Sequence, residues 1–341
     1  MRRCILHIGG LKTGSSALQQ VFMENAGRLR QAGLLYPLCG ETTGSQRNLF
    51  YELTRHRLFD PEQPTLAWLE RQVRESEEEE VLILSSEMFS TLGRFSRVPR
   101  RLVRLLQGWG LEVQVLLYLR PQDELLNSLY AQRVRLLNCK QRFADWAPSA
   151  LKESIFHYGR LLQRWETAAP SALLLRPYNR ETKDRGILAD FLEATGLADR
   201  LDAATLSSGP ALRNPTPGPL TVEVFYRLAR AGGRRRYRRQ LHALRRFVTA
   251  AADERGWNDR AFAGMTEALR AEVTRQFAAD NAKVAQAYLP DSWDAVFAED
   301  LQRPLSVNLF GPRTASAEEE AAIQDLVSIA EARFGAAATT G

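Results

Sequence analysis

The stretch at positions 4–20, CILHIGGLKTGSSALQQ, constrains the fold more than any other part of the chain. It joins an apolar run to a glycine-rich turn and then to a helix-forming segment, the order of a phosphate-binding strand, loop and helix. Cys4, Ile5, Leu6 and Ile8 make the short apolar run expected of a strand covered on both faces of a parallel sheet. Gly9, Gly10 and Gly14 permit positive φ and let a ligand approach the backbone. Ser15 and Ser16 then bring hydroxyls to the start of a helix whose leading N–H groups and positive dipole end attract an anion. Lys12 adds a cation. A loop of this kind implies an α/β fold, a P-loop-like parallel sheet flanked by helices.

The spacing from Gly9 to Gly14 is that of a nucleoside-triphosphate loop, G-x-x-x-x-G-K-[ST], except that Ser15 stands at the lysine position and the lysine has moved to Lys12. In ATPases and GTPases the lysine reaches the terminal phosphates and the next hydroxyl holds magnesium, so its displacement argues against triphosphate hydrolysis. A second buried strand, at 81–84, leads into Ser85, Ser86 and Glu87. Ligands bind beyond the carboxyl ends of the strands in an open parallel sheet, so Glu87 faces the crevice of Lys12 if the two strands are neighbours. The alternative is that Glu87 caps the next helix. No Asp stands here to hold magnesium, which favours chemistry without a metal. A third strand, at 113–119, ends at Arg120. Pro121 starts a helix and Ser128 falls about two turns along it, so a guanidinium and a hydroxyl can hold a second anion.

KTGSS after HIGGL resembles the 5′-phosphosulfate loop of the PAPS-dependent sulfotransferases. Arg120 with Ser128, followed by Tyr130 and Gln132 in a Ser-x-Tyr-x-Gln pattern, resembles their 3′-phosphate motif. The resemblance implies 3′-phosphoadenosine 5′-phosphosulfate (PAPS) as donor, 3′,5′-ADP as product, no metal, and an acceptor hydroxyl or amine on a carbohydrate, lipid or small metabolite. It implies donor contacts from Gly10, Leu11, Lys12, Thr13, Gly14, Ser15, Ser16, Arg120 and Ser128. Tyr178, in the turn after a strand at 171–176, and Arg213, in a late basic loop with Asn214, join them by the same resemblance. The segment FAADNAKVAQAYL at 277–289 is similar to one near the end of bacterial members.

One departure from the family matters. SQRNLF places Arg47 where such bacterial proteins often have a histidine, and an arginine stays protonated and cannot accept a proton. Lys12 is the candidate cation for the departing 5′-phosphate oxygen, and Glu87 the first candidate for the general base. Glu41 is second and His56 third; His7 is expected to hydrogen-bond within its strand and shape the loop, with use as the base a further alternative. Two other functions remain open from the sequence: a P-loop kinase or NTPase, and a non-catalytic polyanion-binding protein.

Composition narrows the class. The chain has 341 residues, 45% hydrophobic and 25% charged, which excludes disordered and fibrous classes. No apolar run approaches the roughly 20 residues of a membrane span. MRRCILHIGG has too short an apolar run for a signal peptide, so a cytoplasmic location is expected. Cys4, Cys39 and Cys139 have neither metal-binding spacing nor an even count for disulfides. Forty-six Lys and Arg against 40 Asp and Glu give +6, which suits a polyanionic ligand. The run RRRYRR at 234–239 could bind nucleic acid, an acidic glycan or a membrane surface, with Tyr237 placed to stack on a base or sugar; a solvated helix face is the blander possibility, and no specific nucleic acid is expected. Apolar periodicity predicts helices at 16–32, 49–58, 65–80, 99–109, 185–197, 220–231, 237–252 and 259–288. These divide the chain into an α/β core at 1–206, a helical portion at 207–313 that completes it and covers the site, and a C-terminal helix with a frayed tail at 314–341.

Overall fold

The computed structural model describes residues 2–38, 44–76, 80–91, 95–170, 172–206, 216–310 and 315–335. Cys39, Glu41, Arg213 and Asn214 lie outside the described residues. The first part of the chain runs β1 (Arg3–His7), α1 (Ser15–Glu24), α2 (Ala26–Gln31), β2 (Leu34–Leu35), α3 (Arg47–Thr54), α4 (Leu66–Glu75) and β3 (Val81–Ser85). A 3₁₀ turn over Glu87–Ser90 leads to α5 (Val98–Gly108), β4 (Glu112–Leu119), α6 (Gln122–Arg135), α7 (Phe143–Ala150), α8 (Tyr158–Ala168) and β5 (Leu173–Pro177). Helices follow: α9 (Arg180–Arg185), α10 (Ile187–Ala194), α11 (Pro219–Ala231), α12 (Gly233–Arg236), α13 (Leu241–Asp253) and α14 (Glu267–Tyr288). The short α15 (Trp293–Val296) and α16 (Ala298–Gln302) precede α17 (Ala317–Phe334). No helix among the described residues is long and apolar enough to cross a membrane.

The five strands form one parallel sheet in the order β2-β3-β1-β4-β5, flanked by helices. β1 lies in the middle, with Ile5 opposite Ile83 on one side and Gln114 on the other. Its apolar residues are wholly buried because both faces are covered, as the unbroken apolar run requires. One core gathers Ile5, Ile83, Leu116 and Tyr118 from the sheet with Leu18 and Phe22 of α1 and Phe191 of α10. Phe22 packs edge-on against Phe191, with ring centroids 5.0 Å apart. Burying each such side chain contributes about 1.5–3 kcal/mol, which fixes α1 and α10 on the sheet.

Several helix boundaries differ from the periodic pattern. The helix expected at 16–32 is two, because Asn25 turns its side chain to the carbonyls of Val21 and Leu206, at 2.9 and 3.1 Å. The segment at 185–197 likewise breaks at Gly186, where φ is +89°. The helix expected from 259 starts only at Glu267. Its would-be first turns are held extended by Phe262 N–H on the Pro217 carbonyl (2.9 Å), Ala263 N–H on Asn308 Oδ1 (2.7 Å) and Gly264 N–H on Asn127 Oδ1 (2.8 Å). Propensity loses there to long-range hydrogen bonds.

The chain groups into two compact units. The first comprises Met1–Pro121, Glu153–Arg213 and Phe277–Arg303 and contains the whole sheet. Within it Asp300 accepts from Lys183 Nζ at 2.8 Å and from the Arg180 N–H at 3.0 Å, tying α16 to the start of α9. Asp190 of α10, 1% exposed, accepts from the Tyr118 hydroxyl at 2.8 Å and from Arg176 Nε and Nη2 at 3.1 and 2.5 Å.

The second unit comprises Gln122–Lys152, Asn214–Gln276 and Pro304–Gly341. There α11 packs on α6, α13 and α17. Tyr130 of α6 is buried against Phe143, Trp146 and Phe262. Arg142 is ion-paired with the buried Glu223, and Arg227 bridges Glu223 and Glu320 at 2.8 and 2.6 Å. Ser316 and Glu319 form a reciprocal capping box on α17. Tyr237 is 1% exposed, so it is a packing residue and not the stacking platform that the run RRRYRR had allowed.

Candidate functional site

The pairing of β1 with β4 continues past His7. The Ile8 N–H donates to the Leu116 carbonyl and the Tyr118 N–H to the Gly9 carbonyl, both at 2.9 Å, so the backbone stays on β4 until the loop turns. Gly9, Gly10, Lys12 and Gly14 then have φ of +82°, +120°, +65° and +83°. A Cβ on Gly10 would fall far inside contact distance of the Tyr118 carbonyl oxygen, and one on Gly9 would lie 2.7 Å from Glu87 Cα. Glycine lets the loop lie this close to the strands on either side. Thr13 Oγ1 donates to the Gly10 carbonyl at 2.7 Å and Ser15 Oγ points to the same oxygen at 3.5 Å. Both residues are buried and brace the loop from inside, whereas Ser16 is exposed. Gly14 caps α1 without a side-chain hydrogen bond to the first-turn amides. Those leading N–H groups have no intrahelical acceptor and carry the positive end of the helix dipole.

On the β4 and β5 side the loop meets cations and one ring. Arg120 Nη1 donates to the Lys12 carbonyl at 2.7 Å, and the Arg120 carbonyl accepts from the Tyr158 hydroxyl at 2.8 Å. Tyr178 donates its N–H to the Leu119 carbonyl at 2.6 Å. Its ring stands beside the loop: a Cβ on Gly14 would lie 3.5 Å from Cε2 and from the hydroxyl. The Arg120 guanidinium carbon and Lys183 Nζ are 5.9 and 5.5 Å from that ring centroid. Lys12, Gly14, Arg120 and Tyr178 are thus brought together from three segments of the chain, and Lys183 joins them unforeseen.

On the β3 side lies the carboxylate. Because β3 is the neighbour of β1, Glu87 arrives next to Gly9. It begins the 3₁₀ turn, which Ser86 caps by accepting from the Met88 N–H at 3.4 Å. Glu87 Oε2 instead accepts from Gln19 Nε2 at 3.2 Å. Gln19 also donates to Ser85 Oγ at 3.1 Å, and Ser85 Oγ lies 2.8 Å from His7 Nδ1. Gln46 Oε1 accepts from the Ser85 N–H at 2.7 Å while its Nε2 donates to the Pro37 carbonyl at 3.0 Å.

His7 is fully buried against the rings of Tyr118 and Phe191, and desolvation pushes its pKa down to about 3. It is a neutral brace of the loop at neutral pH. His56, just past α3, stacks on Tyr51 with centroids 5.0 Å apart and accepts from the Leu58 N–H at 3.1 Å. Ser128 is half-buried on α6 in the second unit. Gln19, Gln46 and Lys183 escaped the sequence. Gln19 had one signal, a polar residue on the buried face of α1 next to Leu18, whereas the partner of Gln46 is 39 positions away.

An amide-headed loop beside the Arg120 guanidinium and the Tyr178 ring, with the Glu87 carboxylate on the other side, suits an anionic ligand. No family model matches the sequence, and no curated protein matches it. A solved structure is similar. It is that of a sulfotransferase from Alicyclobacillus acidocaldarius, 12% identical, with 87% of this chain and 99% of that one covered and a TM-score of 0.49. At that distance the likeness assigns no residue a role. Among the described residues no group of three or more His, Cys, Asp or Glu could hold a metal ion.

Proposed function

We propose that this protein transfers a sulfuryl group from PAPS to a hydroxyl or amine of a carbohydrate, lipid or small metabolite, without a metal. The observation that carries the proposal is the 2.7 Å hydrogen bond from Arg120 to the Lys12 carbonyl. It joins the loop that resembles a 5′-phosphosulfate site to the strand end that resembles a 3′-phosphate site. The close fit of Gly10 under Tyr118 supports a loop shaped for anion contact by its backbone.

When bound, PAPS supplies an activated sulfuryl group whose bond to the 5′-phosphate oxygen breaks as the acceptor oxygen or nitrogen bonds to sulfur. The loop amides of Gly10, Leu11, Thr13, Gly14, Ser15 and Ser16 hold the 5′ end. Lys12 offsets the charge that develops on the departing oxygen. Arg120 and Tyr178 hold the nucleotide, the first by charge and the second by its ring face. Glu87, fixed by Gln19, takes the acceptor proton. Ser128 and Arg213 keep the donor role that the sequence resemblance gives them.

Calorimetric titration with adenosine 3′,5′-bisphosphate in chelator tests the proposal. Binding is expected without magnesium. Failure to bind it, or binding of ATP that requires magnesium, overturns the proposal. Labelled-donor sulfation of a metabolite and glycan panel should then lose turnover in Lys12→Ala, while Arg120→Ala weakens donor affinity by about 10- to 100-fold, the loss of one charge-assisted contact. Glu87→Gln should lower kcat by about 10²- to 10⁴-fold.

A further inference from the structure

The second unit holds a group of cations that the nucleotide site does not use. Arg135 lies in the last turn of α6, Arg234 on α12 and Arg245 on α13. The Arg234 N–H donates to the Leu137 carbonyl at 3.3 Å, which seats α12 against the end of α6. Lys140 closes the group: a Cβ on Gly233 would lie 3.1 Å from its Cε and 3.5 Å from its Nζ. The Nε atoms of Arg135 and Arg245 are buried, and among the described residues they have no hydrogen-bond acceptor.

Four acidic side chains of this unit are engaged elsewhere. Glu223 and Glu320 serve Arg142 and Arg227, Glu331 serves Arg236, and Asp123 faces Arg270. Burial, with repulsion from Arg245 on Arg135 and from Arg234 on Arg245, lowers the pKa values of Arg135 and Arg245, and among the described residues no carboxylate contributes an opposing shift. Half-desolvated like charges whose buried Nε donors lack acceptors are unfavourable, and an anion supplied from outside would relieve them.

We infer that Arg135, Lys140, Arg234 and Arg245 form an oxyanion-binding site that takes a sulfate or phosphate group. Guanidinium forks match the oxygens of such a group bidentately, and three of them with one ammonium suit a doubly charged anion better than a single carboxylate. The site explains the basic run at 234–239 in part: Arg234 faces this group, while Arg236 pairs with Glu331 and Tyr237 packs inside. It is independent of the activity proposed above.

Calorimetry and thermal denaturation of the full chain with inorganic sulfate, inorganic phosphate and a sulfated disaccharide, at ionic strength matched with sodium chloride, test it. The anion should bind the wild type and Lys12→Ala alike, raising their melting temperatures. The double variant Arg135→Gln, Arg245→Gln should lose at least about tenfold in affinity. Without anion it should be no less stable than the wild type, because a desolvated like-charge pair is gone. Arg234→Gln, at the exposed side, gives a second measure in a fold not at risk, with a loss of about two- to fivefold. Binding of the inorganic ions means that a free anion suffices; binding of the disaccharide alone means that the group is carried on a saccharide, and both uphold the site. No binding beyond the chloride control, or binding lost in Lys12→Ala and kept in the double variant, overturns it.

Discussion

Replacing Gly10 by alanine is the sharpest test of the loop, and Gly14→Ala is its control. At Gly10 the backbone sits at φ +120° with the Tyr118 carbonyl oxygen where a Cβ would go. The loop must move away from β4, which endangers the 2.9 Å bond from Tyr118 N–H to the Gly9 carbonyl and the 2.7 Å bond from Thr13 to the Gly10 carbonyl. Two hydrogen bonds at about 1 kcal/mol each and a positive-φ penalty of about 1–2 kcal/mol bring the loss to roughly 3–4 kcal/mol. At about 2.1 cal/mol/K of unfolding entropy per residue, a chain of 341 residues shifts by about 1.4 °C per kcal/mol, so the melting temperature should fall by roughly 4–6 °C. Gly14 differs. An added Cβ would meet Tyr178 and Ile187 at 3.5 and 3.6 Å, ordinary contacts, so only its φ of +83° is penalised, by about 1–2 kcal/mol. Titration with adenosine 3′,5′-bisphosphate should show Gly10→Ala weakened by about 100-fold or more, the equivalent of two amide contacts to a charged group, and Gly14→Ala by less than about tenfold. A folded Gly10→Ala that binds as tightly as the wild type, or a Gly14→Ala that is equally damaged, would refute the proposed geometry.

Two further outcomes concern the frame of the site. Asp190→Ala removes the acceptor shared by Tyr118 and Arg176. The cost should be about 3 kcal/mol, the lower end for breaking a buried pair because the Arg176 side chain is 31% exposed, and it should appear as a lower urea midpoint at unchanged slope. His7, with an ordinary pKa of 6.5 lowered to about 3 by burial, stays neutral in the fold while the unfolded chain takes up its proton below pH 6.5. Its contribution is therefore complete above pH 6.5 and is lost as pH falls toward 3. Against His7→Gln, the wild type should lose an extra ~1.4 kcal/mol per pH unit in that window, measured by denaturant unfolding at a series of pH values.

The sheet was legible because its strands are uninterrupted apolar runs. VLIL before Ser85 and the run before Arg120 announced β3 and β4, and strand, glycine loop and helix announced the site between them. Neighbourhood was not legible. That Glu87 sits against Gly9 follows from β3 adding directly to β1, a fact of strand order that no local spacing encodes. Gln46 looked like loop because its partners, the Ser85 N–H and the Pro37 carbonyl, are fixed only once the sheet exists. Helix boundaries failed where a distant acceptor outbid the local pattern, at Asn25 and at 262–264. Tyr237 failed differently, since composition made a surface residue of a side chain that fills the second unit.

The bond from Arg120 to Lys12 spans 108 positions. Contacts of such sequence separation form late, after the loop-closure entropy between them has been overcome. The complete glycine motif therefore leaves the ribosome long before the loop can take its shape. Until β4 has docked on β1, the Tyr118 carbonyl is not there to define the space over Gly10, and the Lys12 carbonyl lacks its guanidinium. A nascent chain ending before Tyr118 carries every residue of the phosphate loop but neither the carbonyl nor the guanidinium that shape it.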